Sequence, residues 1–104
     1  MIRGIFMTML AANLALAAVG EAAAPQVQIK GFHFTPATLT VPVGTTVTWS
    51  NADEETHTIT ATDRAYTSTG LDHGETYAHR FTAPGTYTYF CALHPHMTAT
   101  VVVK

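Results

Sequence analysis

Alternation dominates the chain from residue 27 onward. Val27 and Ile29 flank a polar Gln28, and Phe32 and Phe34 continue the pattern after Gly31. Leu39 and Val41 alternate up to a Pro42-Val43-Gly44 turn, and Val47 and Trp49 share one face of the next run. A polar loop, Asn51-Ala52-Asp53-Glu54-Glu55, precedes His57 and Ile59, which again share a face. Tyr77, His79 and Phe81 alternate, and Ala83-Pro84-Gly85 turns the chain. Tyr87, Tyr89 and Cys91 then fall on one side of a strand, and the chain closes on Val101-Val102-Val103. A period of two, carried by Val, Thr and aromatic residues, marks half-buried strands. About seven short strands with turns between them predict an all-β chain, folded as an antiparallel Greek-key β-sandwich. Asp63–Gly74 has no clear period and is expected to be a long connection.

The first residues follow a different rule. Arg3 is followed by an apolar run from Gly4 to Gly20, broken only by Thr8 and Asn13, and then by small residues up to Pro25. A basic start, a short apolar core and a small-residue end are the pattern of a secretory signal peptide. The run is slightly short for a membrane-spanning helix, which needs about 20 apolar residues. Residues 1–24 are therefore expected to be a signal peptide, cut between Gly20 and Pro25. Residues 25–104 would form one domain in the periplasm or outside the cell, with no membrane span in the mature form. The domain is expected to be monomeric. A net charge of -2 and a pI near 6.3 give no basic face for nucleic acid.

Export changes the meaning of the one cysteine. Exported domains commonly pair their cysteines as disulfides, and Cys91 has no partner in this chain. It is then a liability or a ligand. It opens the patch Cys91-Ala92-Leu93-His94-Pro95-His96-Met97, which holds three metal-ligand types at Cys-x2-His-x2-Met spacing. Pro95 is expected to stop the strand and shape a tight loop. A fourth ligand must come from elsewhere, and His57 follows a polar loop that the fold could bring alongside. A thioether is a poor partner for zinc, whose structural sites use Cys and His. Two imidazoles and a thiolate with a long axial Met describe a blue-copper site. A free Cys is more often a small buried hydrophobe, but here the neighbouring His94 and Met97 favour the metal. His33, His73 and His79 show no ligand spacing, and Tyr87, Tyr89 and Trp49 read as core.

With these residues in hand, the chain resembles the small blue-copper proteins, the cupredoxins, nearest to the amicyanins and related to plastocyanin and pseudoazurin. Pro42–Asn51 is similar to the family's strand before its first His ligand, and His57 follows Asn51 at the family's spacing. Tyr87–Cys91 and His94-Pro95-His96-Met97 are similar to its ligand loop. The resemblance implies that His57, Cys91, His94 and Met97 hold one copper ion, cycling between Cu+ and Cu2+, and it selects His94 over His96. It also implies that Asn51 ties the ligand loops together and bonds near the cysteine sulfur, where such contacts tune the metal. Ala92 stands where several relatives carry a hydroxyl residue, and His96 where amicyanin-like loops tend to carry an aromatic ring.

The function expected is electron transfer between redox proteins, such as a c-type cytochrome or a dehydrogenase, with no bond made or broken and hence no enzyme. His94 is expected to be the ligand whose edge reaches solvent. The alternative is copper trafficking or storage on the same fold. Asp53, Glu54 and Glu55 form an acidic run before His57 that is either a solvated loop tip or a steering patch for a basic partner.

Overall fold

The computed structural model describes residues 25–104, and the expected signal peptide lies outside them. Among the described residues the elements are all strands. They are β1 (Gln26–Lys30), β2 (His33–Thr35), β3 (Thr38–Val41), β4 (Thr46–Asn51), β5 (Thr60–Ala61), β6 (Thr76–Arg80), β7 (Gly85–Cys91) and β8 (His94–Val103). They form two four-stranded sheets, ordered β2-β1-β4-β6 and β3-β8-β7-β5. This is the expected all-β sandwich.

The alternation does what period two requires. Val27 and Ile29 of β1, Val47 and Trp49 of β4, Tyr89 and Cys91 of β7, and Val101 and Val103 of β8 are all buried. The inner faces of the two sheets meet on them, with Trp49 packed edge-on to Tyr89 at 5.5 Å. Trp49 is therefore core, as expected, while Tyr87 is half-buried and donates its hydroxyl to Ala83 O at 2.7 Å. Pairing direction is less uniform than the sequence suggests. β1 with β4 and β3 with β8 run parallel, while the other strand pairs are antiparallel. The chain changes sheet between β2 and β3 and again between β3 and β4. Strands met after such a crossover can pair in parallel, and an alternation pattern carries no information about direction.

Three local features position the site. First, β1 and β2 are joined by Gly31-Phe32 alone, with Lys30 opposite His33. Both turn residues have φ of 62°, as a two-residue hairpin of primed type demands. Gly31 accepts this freely, but a side chain there costs about 1–2 kcal/mol. Phe32 is thus a turn residue with its ring outside the core, 38% exposed, and does not continue the strand alternation. Second, the segment 63–74 is pinned back onto the fold. Thr67 bridges Thr60, and Leu71 pairs with His57 through two backbone hydrogen bonds of 3.1 and 2.7 Å. Third, β7 and β8 turn tightly through Ala92-Leu93. Phe90 faces Thr98 but Cys91 faces His94, so the register jumps at Cys91 and Pro95, His96 and Met97 are the surplus residues. Pro95 therefore does not end the strand. It lies within β8 at an irregularity, where a missing N–H breaks no regular ladder bond.

Candidate metal centre

The register jump folds the end of β7 back on the start of β8, which carries His94 to Cys91. The His57–Leu71 bridge brings His57 to the same point from the other side. One donor atom from each of His57, Cys91 and His94 lies within 4.8 Å of the others. His57 and Cys91 are fully buried, Met97 is 3% exposed, and His94 is half-buried. His94 is therefore the most exposed residue of this group. His96 is exposed and lies outside the group. His33 and His73 are exposed too, and His79 stacks on Tyr66 at 4.1 Å, far from any ligand role.

Distances test whether a metal would fit. Cys91 Sγ stands 3.7 Å from His57 Nδ1 and 3.6 Å from His94 Nδ1. Metal–sulfur and metal–nitrogen bonds of about 2.3 and 2.0 Å, set 120° apart, would hold their donors about 3.7 Å from one another. Both sulfur–nitrogen separations thus match donors that share one ion, and the third edge lies within 4.8 Å. Size alone does not choose the ion, but one thiol, two imidazoles and a nearby thioether suit copper in both oxidation states.

The surrounding contacts hold the donors in place. The Thr58 N–H donates to Cys91 Sγ at 3.3 Å, and Thr58 Oγ1 accepts from Ala92 N at 2.7 Å. Thr58 thereby links the two ligand-bearing segments, so a backbone donor at position 92 makes the link without a hydroxyl side chain. This corrects the expectation for Asn51. Its side chain donates to Glu55 O and Leu71 O, both at 2.8 Å, and accepts from Asp53 N at 2.9 Å. A buried amide with these partners shapes the loop that presents His57, while the donor to the sulfur is Thr58.

Asp53 also departs from its expected place. Its side chain is 12% exposed and turns inward. Oδ1 accepts from Gly31 N at 2.7 Å, and Oδ2 accepts from Phe32 N at 2.9 Å and from His57 Nε2 at 2.9 Å. Burial alone would raise its pKa, but the two backbone donors and His57 outweigh burial and hold it below the usual carboxylate value. A carboxylate only accepts, so His57 Nε2 is the donor in this contact, and Nδ1 is the ring nitrogen turned toward Cys91. Phe32 completes the surround. Its ring meets His57 edge-on at 5.0 Å and His94 at 4.9 Å. Sequence reasoning missed Phe32 and Thr58 and misplaced Asp53. The one available signal was the Asp-x3-His spacing of Asp53 and His57.

Comparison with known proteins agrees with this geometry. The family description "Cupredoxin-like domain" matches residues 3–103. Amicyanin-alpha of Methylorubrum extorquens is 34% identical over 97 residues, covering 86% of this chain and 82% of that protein. A purple cupredoxin from Nitrosopumilus maritimus superposes with a TM-score of 0.75 at 33% identity, covering 77% of this chain and 99% of that one. A copper-containing nitrite reductase from Thermus scotoductus shares the fold with a TM-score of 0.74 and 34% identity. The match covers 81% of this chain but only 23% of the reductase. His57, Cys91, His94 and Met97 are positioned for one copper ion. With a match that runs almost end to end, the chain belongs to the cupredoxin-like family.

Proposed function

We propose that this chain is an exported blue-copper protein that carries single electrons between protein partners. The observation that supports this best is the buried Cys91 thiol with two imidazole nitrogens 3.6 and 3.7 Å away. In this reading His57, Cys91, His94 and Met97 would hold copper, which would supply a one-electron couple. The protein's part is to keep the donors still. Thr58 fixes the sulfur, Asn51 fixes the loop before His57, and the Ala92 amide bond to Thr58 fixes the turn after Cys91. Donors that stay put in both oxidation states make reorganisation small. The half-buried His94 gives electrons their way in and out, with exposed Leu93 beside it as an apolar contact for a partner.

The signal segment 1–24 supports a periplasmic or secreted location, and a c-type cytochrome or a dehydrogenase is the kind of partner proposed. Because Asp53 is engaged, a steering patch on this loop would consist of the exposed Glu54 and Glu55. Stopped-flow reduction of the copper protein by a basic cytochrome, across a salt series, tests this. The rate should fall as salt screens the charges, and Glu54→Gln with Glu55→Gln should flatten that dependence. A rate indifferent to both salt and the double substitution would remove the steering role.

A further inference from the structure

Phe32 occupies a conformation that a bulky side chain avoids, and it does so where its ring touches both candidate imidazole ligands. Strain of this kind persists where the surroundings impose it, and it is a pointer toward function. The two-residue turn sets this conformation, and one carboxylate holds it. Asp53 accepts from both amides of the Gly31-Phe32 turn and bonds His57 Nε2. The turn, the aromatic ring and the ligand ring are therefore tied to a single side chain. The β1–β2 hairpin needs none of this for its own sake, since glycine would satisfy φ of 62° at position 32 without strain.

We propose that Asp53 and Phe32 form a brace over the copper centre: Asp53 orients His57 and clamps the hairpin, and the Phe32 ring blocks His57 and His94 from swinging off the metal. Both are positioning residues. The role rests on the copper reading above and adds to it a reason for copper to be retained in both oxidation states. Asp53 also places a negative charge on the far side of the His57 ring, which favours the more positive oxidised ion.

The test uses the full copper-loaded protein and three readouts: copper(II) loss to EDTA followed at the visible band, the midpoint potential, and the Tm of the copper-free form. Phe32→Gly should lose copper about 10–100-fold faster, the usual size of an effect from residues that support ligands. Its copper-free Tm should not fall, because glycine relieves the turn. Asp53→Asn should also lose copper faster, and its potential should rise because the anion behind His57 is gone. Unchanged copper loss in Phe32→Gly, or an unchanged potential in Asp53→Asn, would overturn the brace. So would a lower copper-free Tm in Phe32→Gly, which would assign the ring to the fold. A parent protein that takes up no copper would overturn the copper reading itself, an outcome distinct from a blue parent with indifferent variants.

Discussion

Cys91→Ser is expected to abolish the intense visible band of the oxidised copper protein. That band needs a short bond between copper(II) and a thiolate sulfur, and this chain has one cysteine. The sulfur is fully buried, faces two imidazole nitrogens and accepts one hydrogen bond, from the Thr58 amide. A serine oxygen in its place fits the same space but offers no polarisable sulfur and stays protonated near neutral pH. His96→Ala should leave the band intact, since its exposed ring lies outside the donor group. Absorption spectra of the two variants, loaded under identical conditions, decide the matter. A blue Cys91→Ser protein would mean that the ligand assignment is wrong.

Copper removal should produce the largest change in stability. The domain of about 80 residues is small for a single core, and it has no disulfide to restrain the unfolded chain. The centre joins residues far apart in sequence, His57 with Cys91 and His94, so binding closes the loops between them only in the folded state. A ligand at a thousandfold excess over its Kd adds about 4 kcal/mol. At roughly 4–8 °C per kcal/mol for a domain of this size, the Tm should drop by about 15–30 °C on stripping the metal. Thermal unfolding of copper-loaded and copper-free protein, followed by circular dichroism, measures it. A difference of only a few degrees would show that the site is not assembled by folding.

The parts of this molecule that were legible in the sequence are those that depend on period and on local spacing. Val27, Ile29, Val47, Trp49, Tyr89 and Cys91 alternate with polar neighbours, and the burial of a strand face follows from that alone. Cys91, His94 and Met97 are close in sequence, so one tight turn can gather them. What stayed hidden depends on geometry between distant segments. Parallel pairing of β1 with β4 leaves no trace in an alternation pattern. Phe32 looked like the next inward residue of a strand because a two-residue turn with an aromatic in the left-handed region is rare. Asp53 looked like one of three equivalent surface acids, because nothing in the run Asp53-Glu54-Glu55 shows that the first meets two amides of a hairpin 21 and 22 residues earlier. The sulfur's hydrogen bond comes from the Thr58 backbone N–H, which every residue but proline would supply.

Copper that stays while electrons move has a distinct electrochemical signature, read by cyclic voltammetry of the copper-loaded protein. One reversible one-electron wave is expected, keeping its height over repeated cycles, with the copper content unchanged afterward. An irreversible wave that decays as copper leaves on reduction would contradict it and assign the chain to copper delivery or storage.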